Sequence, residues 1–335
     1  MSDSGTYNYG FRIVGDTRQE RRLVNASKAW DGQMSCDDRA EVHREAYLSA
    51  FDFGGDFKNW LATHGTTKGF DGVCTSRFVW FDIDREGDID AAIRDTAKLV
   101  LGMSEKLALA EPEEMLIFFS GSKGFHVGMP TTLWKPEPST MFHRVARAFA
   151  EDVALDVGVT IDVGVYDKVR AFRAPNSTHP RTGLHKIIVP AEFWRMDKQR
   201  IMKLAEAPIS TECDLTTRTS TKAVALWDKC RQQIDQRSQV KVERAAAGSP
   251  AALNRATIDF IRNGADVGDR HRLLFSAAAN LAEFGCTPAL AHALLTEAAL
   301  DSGLSPKDVA RQIECGLNAK VLPPSLDVDE EGRHA

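Results

Sequence analysis

Two kinds of hydrophobic pattern divide the chain. Between residues 76 and 189, apolar runs such as RFVWFDI, MLIFF and FHVGM have the length of buried strands. They alternate with segments whose apolar residues recur every three to four positions, as on one face of a helix. After Pro190 the strand signals end, and the helical spacing continues to about residue 320. This order predicts an α+β domain followed by a small all-α bundle.

The limits of these parts follow from changes in composition. We predict an α+β catalytic domain, a charged helical linker, a helical bundle domain and a disordered tail, over residues 1–210, 211–249, 250–322 and 323–335. The GSP at 248–250 is typical of a hinge. In the bundle, Thr287-Pro288 and Ser305-Pro306 each place a capping hydroxyl before a proline at the first helical position. The tail combines a proline pair with acidic residues and lacks periodicity.

Composition and charge exclude several classes of protein. No apolar run approaches the roughly 20 residues of a membrane span, and no signal-peptide stretch is found, so we expect a cytoplasmic protein without membrane contact. The six cysteines are too widely spaced for a local zinc motif, and no zinc is expected. The formal net charge is −5, so binding to nucleic acid must depend on local clusters such as the basic stretch from Asp162 to Val189.

Two carboxylates end the first apolar run, in the sequence FDID. Residues two apart on a strand share a face, so Asp82 and Asp84 are expected to lie together. Hard divalent cations such as Mg²⁺ take oxygen ligands of this kind, and a cation between them would relieve their repulsion. The pair alone is also typical of an ordinary strand end, where aspartates cap helices and fill turns.

A glycine-rich turn, SGSKG, follows the next apolar strand. Its glycines let the backbone approach a ligand closely, so that amide N–H groups, hydroxyls and an ammonium converge on phosphate oxygens. The residues predicted to hold a nucleotide are Ser120, Ser122, Lys123, Gly124 and His126. No Gly-Lys-Ser/Thr ends the segment and a strand follows it, so it is not a P-loop. The alternative is a glycine-rich hairpin with a surface lysine and a hydrogen-bonded histidine.

A third polar segment, IDVGVYDKVRAFRAPNSTHPRTG, carries another aspartate and several cations. Asp162 is the candidate third carboxylate. Arg170 and Arg173, three positions apart around a strand, cannot both face one way, so only one is expected at the phosphates. Arg173 is preferred because Ser177 and His179 follow it into a polar loop that could line the same pocket. The alternative is an ordinary basic hairpin on the surface.

Together, these segments resemble the archaeo-eukaryotic primase superfamily. FDID is similar to its first motif, SGSKGFHV to its second and the aspartate of IDVGVY to its third, in the same order over residues 78–189. The string SGSKG-x-H also occurs in the polymerase domain of bacterial end-joining ligases. Cellular primase small subunits carry a zinc-binding insertion, whereas no cysteine lies between Asp84 and Ser120. The resemblance is therefore closer to the primase-polymerases of plasmids and phages.

The resemblance implies a fold, a reaction and a set of site residues. The fold would be the primase catalytic core of mixed sheets with flanking helices, and the reaction template-dependent joining of NTPs or dNTPs with release of pyrophosphate. Two Mg²⁺ or Mn²⁺ ions would be bound by Asp82, Asp84 and Asp162. The incoming nucleotide would be held by Ser120, Ser122, Lys123, Gly124, His126, Arg173, Ser177 and His179. Its partners would be a single-stranded DNA template and a replicative helicase, supplied by another protein or by a segment outside this chain.

Two other functions stay open at this point. One is a gap-filling repair polymerase of the end-joining type, and the other is a replication-initiator or nucleotide-binding module without catalysis.

The helical bundle of the plasmid and phage relatives follows the catalytic domain and assists initiation. Its cations here are either DNA contacts or ordinary solvated charges, and they are Arg255, Arg262, Arg270 and Arg272. Residues 1–75 carry no motif that can be interpreted, and core packing is the expectation for their aromatic residues.

Overall fold

The computed structural model describes residues 7–212, 216, 218–246, 253–266 and 268–319. Their contacts divide the chain into two compact units, Met1–Gln236 and Arg237–Ala335. The finer domain limits drawn from the sequence stay predictions. The predicted hinge at 248–250 and the predicted tail at 323–335 lie outside the described residues. Within the described ranges, every helix is too short or too polar to cross a membrane.

The first unit contains all the described strands and six of the described helices. The strands are β1 (Tyr9–Val14), β2 (Arg22–Asn25), β3 (Ala46–Ser49), β4 (Asp52–Phe53), β5 (Cys74–Thr75), β6 (Phe78–Asp84), β7 (Leu116–Phe119), β8 (Gly124–Pro130), β9 (Ala171–Arg173) and β10 (Ile187–Ile188). The helices are α1 (Ala26–Met34), α2 (Gly55–His64), α3 (Ile89–Leu101), α4 (Phe142–Val157), α5 (Lys198–Leu204) and α6 (Thr221–Ala246), which begins in this unit. The mixed α+β composition predicted from the hydrophobic pattern is confirmed.

The strands form two antiparallel sheets. The first sheet has the order β5-β4-β1-β3-β9, and β2 pairs with the first four residues of β1. The second sheet has the order β10-β7-β8-β6. In its register Asp82 pairs with His126 and Asp84 with Gly124. The ends of β6 and β8 that carry the first two sequence motifs therefore lie side by side.

Strand β6 is apolar on both faces because the second sheet is covered on both sides. The Trp80 ring faces the first sheet, with its centre 5.2 Å from the Phe172 ring of β9 and 5.7 Å from the Trp30 ring of α1. Phe81 and Ile83 are fully buried on the opposite face, where α3 and α4 pack against the strand. Asp82 and Asp84 continue the Trp80 face, so their carboxylates are directed toward the first sheet.

A buried asparagine fixes the loop that follows β9. Asn176 has a left-handed backbone conformation with φ of 58° and is almost fully buried. Its amide nitrogen donates to the carbonyl oxygens of Gln33 and Ile209 at 2.9 and 3.0 Å, and its amide oxygen accepts from the N–H of Ile209 at 2.9 Å. Because a buried amide is stable only when hydrogen-bonded, these contacts lock the loop onto the end of α1.

Four further helices lie entirely in the second unit: α7 (Arg255–Asn263), α8 (Arg270–Ala282), α9 (Pro288–Asp301) and α10 (Pro306–Leu317). Their buried apolar side chains form one cluster, which includes Phe260, Leu274, Leu281, Leu295 and Ile313. The hydroxyls of Thr287 and Ser305 accept hydrogen bonds from the first turns of α9 and α10, as the Thr-Pro and Ser-Pro pairs predict. A Cβ at Gly316 would overlap α8, so this glycine allows α8 and α10 to pack closely.

Candidate functional site

The first part of the site is the pair formed by Asp82 on β6 and His126 on β8. The two residues are direct partners across the sheet, and the Asp82 Oδ1 lies 3.5 Å from the His126 Nε2. Both side chains are largely buried, and the Asp82 Oδ1 and the His126 Nδ1 have no hydrogen-bond partner. Burial without a partner is costly for a polar atom, so an ion or a hydrogen-bonding group that reached either atom would offset that cost.

A glycine brings the second carboxylate against the glycine-rich turn. A Cβ at Gly124 would overlap the Ile83 carbonyl oxygen and lie 2.6 Å from the Asp84 Oδ1. The turn is closed by two hydrogen bonds, from the Ser120 N–H to the Gly124 carbonyl at 2.9 Å and from the Gly124 N–H to the Ser120 Oγ at 3.2 Å. Only a residue without a side chain fits at Gly124, and the Ser120 hydroxyl is part of the turn itself.

The third carboxylate is tied to the first through the backbone. The Asp162 N–H donates to the Asp82 carbonyl at 2.8 Å, which places the two aspartates side by side although they are distant in sequence. The Asp162 Oδ1 accepts from the Gly164 N–H at 2.7 Å and caps the short 3₁₀ turn Val163–Tyr166. Asp162 is exposed, so its other carboxylate oxygen faces solvent.

The electrostatics of Asp82 reflect this convergence. Burial, together with the negative charges of Asp84 and Asp162, raises the pKa of the Asp82 carboxyl to about 7. The positive charges of Lys186 and Arg170 act against this shift in the pKa of Asp82. A cation bound here would favour the ionised form of Asp82 and relieve the repulsion among the three carboxylates.

Lys123 of the glycine-rich turn is held by acidic side chains. Its ammonium lies 3.2 Å from the Asp84 Oδ2 and 3.0 Å from the Glu86 Oε2. The hydrogen bonds that the ammonium donates to Glu86 and, to a lesser extent, to Asp84 raise the pKa of Lys123, although partial burial acts against them. The sequence predicts Lys123 as a phosphate ligand, and the structure adds that a phosphate would have to compete with Glu86 for it. Ser122 is half-buried in the same turn.

The loop after β9 lies against the glycine-rich turn. Gly121 has a φ of 82°, and a Cβ there would lie 2.9 Å from the Leu184 carbonyl oxygen and 3.3 Å from the His179 Cβ. The Thr182 hydroxyl donates to the Gly121 carbonyl at 2.5 Å. Partial burial and the charges of nearby arginines lower the pKa of His179. His179 is therefore brought to the same turn as Lys123, as the sequence predicts for two ligands of one nucleotide.

The two arginines of the third segment both act on the site. Arg173 on β9 donates from its Nη2 to the Tyr47 hydroxyl at 3.1 Å, and the same nitrogen is 4.0 Å from the Glu45 Oε1. Burial, followed by the charges of Lys186 and Arg173, lowers the pKa of His126, whereas the charge of Arg170 only opposes the rise in the pKa of Asp82. The sequence predicts only one of them at the site, on the assumption that both lie on one regular strand. In the structure Arg170 precedes β9.

Ser177 differs from the other predicted ligands. Its side chain is fully buried, and its hydroxyl donates to the Ala174 carbonyl at 2.8 Å and to the Ala46 carbonyl at 3.2 Å. These bonds link the loop after β9 to β3. A nucleotide could reach the hydroxyl only if the loop moved. In this structure Ser177 therefore holds the loop against β3 and does not face a ligand.

Sequence reasoning missed Lys186 as a site residue and counted it only as one cation of the basic stretch. Its side chain is fully buried, and its Nζ donates to the Arg173 carbonyl at 2.8 Å. Burial lowers the pKa of Lys186 well below its usual value, while the charge of Asp82 raises it. A cavity of about 30 Å³, room for about one water, lies nearby between Trp80, Phe172 and Arg173. No sequence signal distinguishes this lysine from a surface one.

The donor set suits hard divalent ions. Carboxylate oxygens from three aspartates match the preference of Mg²⁺ and Mn²⁺, and one Asp82 oxygen has no hydrogen-bond partner in the protein. The side chains do not form a ready-made cage: among the described residues, no group of three or more His, Cys, Asp and Glu side chains is arranged to hold one ion. Metal binding at Asp82, Asp84 and Asp162 would therefore require small rotations of exposed carboxylates such as that of Asp162.

The cations of the second unit are mostly engaged by neighbouring groups. Arg255 pairs with Asp259 at 3.6 Å and Arg272 with Asp269 at 2.9 Å. Arg270 donates to the carbonyls of two residues at the end of α9. These contacts are those of an ordinary helical surface, and the role of these arginines at DNA stays a prediction.

The similarity of this chain to known proteins is low. No protein-family model matches the chain, and no curated protein matches it. One similar solved structure is entitled "Crystal structure of primase RepB′"; it has a TM-score of 0.38 and 15% sequence identity, over 92% of this chain and 88% of that chain. A likeness this distant identifies neither the fold nor the activity of this protein.

Proposed function

We propose that this protein is a template-dependent DNA primase or primase-polymerase, which joins NTPs or dNTPs on single-stranded DNA and releases pyrophosphate. The observation that carries the proposal is the backbone bond from the Asp162 N–H to the Asp82 carbonyl. It brings a third carboxylate to a strand that already presents Asp82 and Asp84 beside the glycine-rich turn. Phosphoryl transfer needs positioning and charge neutralisation more than covalent help from protein, and these are what the site offers.

Each group of residues has a distinct task in this reaction. Asp82, Asp84 and Asp162 would hold two Mg²⁺ or Mn²⁺ ions, whose Lewis acidity such a transfer uses on both the attacking hydroxyl and the leaving pyrophosphate. Lys123 and the N–H groups of the glycine-rich turn would bind the triphosphate once Glu86 has been displaced. His126, whose lowered pKa keeps it neutral, would donate or accept one hydrogen bond without adding charge.

A primer-free assay tests this proposal directly. Purified full-length protein is given single-stranded DNA, labelled NTPs or dNTPs, and Mg²⁺ or Mn²⁺. We expect template-directed products in the wild type and their loss in Asp82→Ala and Asp84→Ala. Asp301→Asn, which removes an exposed carboxylate in the second unit, is the control and should retain activity.

The other outcomes separate the remaining functions. Extension of primers without any strand started de novo, together with binding of a 5′-phosphate, would favour a gap-filling repair polymerase. Binding of triphosphate without release of pyrophosphate would favour a nucleotide-binding module of a replication initiator. Incorporation that ignores the template would contradict both polymerase readings.

A further inference from the structure

Arg85, the residue after Asp84, contacts all three segments of the site. Its main-chain N–H donates to the Lys123 carbonyl at 3.1 Å. Its guanidinium donates from Nη1 to the Asp84 carbonyl at 2.7 Å and from Nη2 to the Thr160 carbonyl at 3.0 Å. The Nε donates to the Asp95 Oδ2 on α3 at 2.6 Å. One side chain thus links the end of β6, the segment that leads to Asp162, and a helix behind them.

The geometry of these bonds is one that only arginine can make. The guanidinium is a rigid planar fork, so three bonds in different directions fix its orientation as well as its position. All three of its nitrogens are already bonded to protein acceptors, and its side chain is only 22% exposed. Arg85 is therefore not placed to bind phosphate as the other cations near the site are, and its charge serves the protein's own framework.

Three hydrogen bonds hold the segment of Asp162 against β6 and the residue after it. The Asp162 N–H donates to the Asp82 carbonyl, and the Tyr166 hydroxyl, in the turn after Asp162, donates to the Trp80 carbonyl. The bond from Arg85 to Thr160 is the one of the three that holds the residues before Asp162, so it helps to set the direction in which the chain enters the site. The distance between the Asp84 and Asp162 carboxylates depends on that direction.

We propose that Arg85 is a positioning residue, which holds the backbone of Asp84 and of the segment that leads to Asp162 so that their carboxylates can turn onto one divalent metal ion, and that Asp95 orients its guanidinium. The metal site belongs to the function proposed above, so this inference rests on that proposal. Residues behind metal ligands commonly change metal affinity by about 10- to 100-fold when they are replaced, because the ligands lose their orientation.

Binding of Mn²⁺ to the full-length protein without nucleotide, measured by electron paramagnetic resonance, tests the inference. We expect Arg85→Met to weaken Mn²⁺ binding by about 10-fold or more, and Asp95→Asn by a smaller factor. Arg85→Lys keeps the charge but reaches fewer acceptors, so it should fall between Arg85→Met and the wild type. Arg147→Met, which breaks the Arg147–Glu151 ion pair on the surface of α4, is the control and should bind Mn²⁺ normally.

The metal dependence of nucleotide incorporation provides a second measurement. Each Arg85 variant should need more Mg²⁺ for half-maximal rate, and the rate should largely recover at saturating Mg²⁺. A purely structural role would lower the unfolding temperature and leave the Mn²⁺ affinity of the folded protein unchanged, which would overturn the inference. If Arg85→Met does not fold, Arg85→Lys and Asp95→Asn decide by the same criterion.

The failure of this inference can be told apart from the failure of the proposed function. A wild-type protein that binds Mn²⁺ through Asp82 and Asp84 but makes no product contradicts the polymerase proposal, while the Mn²⁺ affinities still decide the role of Arg85. A wild-type protein that makes product and an Arg85→Met variant with unchanged Mn²⁺ affinity contradict the Arg85 inference alone. Absence of Mn²⁺ binding in the wild type overturns both.

Discussion

The ammonium nitrogen of Lys186 lies 4.4 Å from the centre of the Phe172 ring, with the Phe118 and Trp80 rings at 4.9 and 5.2 Å. A fully buried lysine is rare because removing its charge from water is costly. Three aromatic faces and the carbonyl of Arg173 offset part of that cost. The amino group of Lys186 thereby lies among rings of both sheets, and the charge of Asp82 favours its protonated form.

Replacement of Lys186 by methionine tests whether this charge is needed for folding. Methionine fills a similar volume and keeps contact with the aromatic rings, so we expect Lys186→Met to change the free energy of unfolding by no more than about 1–2 kcal/mol. Lys186→Ala leaves a cavity and should lose about 3 kcal/mol. Urea denaturation measures both. Equal destabilisation by the two variants would mean that the charge, and not the volume, holds the sheets together.

Gly124→Ala should be severely destabilising. Its methyl group would overlap the Ile83 carbonyl oxygen and crowd Asp84, so β6 and β8 would have to separate where the site lies. We expect a loss of about 2–3 kcal/mol in the free energy of unfolding, as for other overpacked positions. Gly55→Ala is the matched control: its new methyl group meets no atom within 4 Å, and alanine favours helix α2. Wild-type stability in Gly124→Ala would mean that the two strands are spaced more widely.

His143 on α4 makes the protein sensitive to mild acid. Burial, followed by the charges of Lys168 and Arg144, lowers the pKa of His143 to about 4, against an ordinary value of 6.5. Between those values the unfolded chain binds a proton that the folded chain does not, so stability falls as the pH is lowered from 6.5 toward 4. The slope from one proton is at most about 1.4 kcal/mol per pH unit.

A glutamine at position 143 should remove this contribution. We expect the free energy of unfolding of His143→Gln to fall less steeply than that of the wild type between pH 6.5 and 4.5, in urea denaturation at several pH values. The edge of the wild-type imidazole contacts the Phe51 ring, so a small constant loss at every pH is also expected. His271→Gln, an exposed change in the second unit, should follow the wild type. Parallel curves for His143→Gln and wild type would contradict the prediction.

Glu86 should weaken nucleotide binding by occupying Lys123. The Glu86 side chain is 79% exposed, so its ion pair with Lys123 is screened by solvent and weak enough for a phosphate to displace it. If the proposed function is right, Glu86→Gln should lower KM for the nucleotide about two- to fivefold with little change in kcat. Lys123→Met should raise KM, and Glu113→Gln, an exposed change elsewhere, should have no effect. A higher KM in Glu86→Gln would show that Glu86 assists binding.

Local spacing made much of the site predictable. Two aspartates two positions apart on a strand share a face whatever the fold, and a glycine-rich turn between apolar runs predicts a hairpin next to them. The structure places Asp82, Asp84 and His126 on adjacent strands and Lys123 in the turn just before the second of them, as those rules require. The position of Asp162 depended on the resemblance, because no local rule connects residues 80 positions apart.

The rest depended on packing between distant segments. Residues 1–75 gave no motif, yet they supply most of the first sheet and the Tyr47 and Glu45 partners of Arg173. Ser177 was predicted as a ligand from its place in a polar loop, but its hydroxyl is bonded to β3. The sequence also offers no sign that Arg85 reaches Thr160, since that contact exists only after the chain has folded.

The bond between the Asp162 amide and the Asp82 carbonyl has a consequence for the thermal stability of the protein. Main-chain contacts hold like charges together before any ligand arrives, so folding itself works against their mutual repulsion. If the proposed metal site is correct, an ion that neutralises these charges would return that energy to the native state, and its affinity would be coupled to thermal stability. The unfolding temperature should consequently be highest with the divalent ion bound, and chelators should lower it even in the absence of DNA.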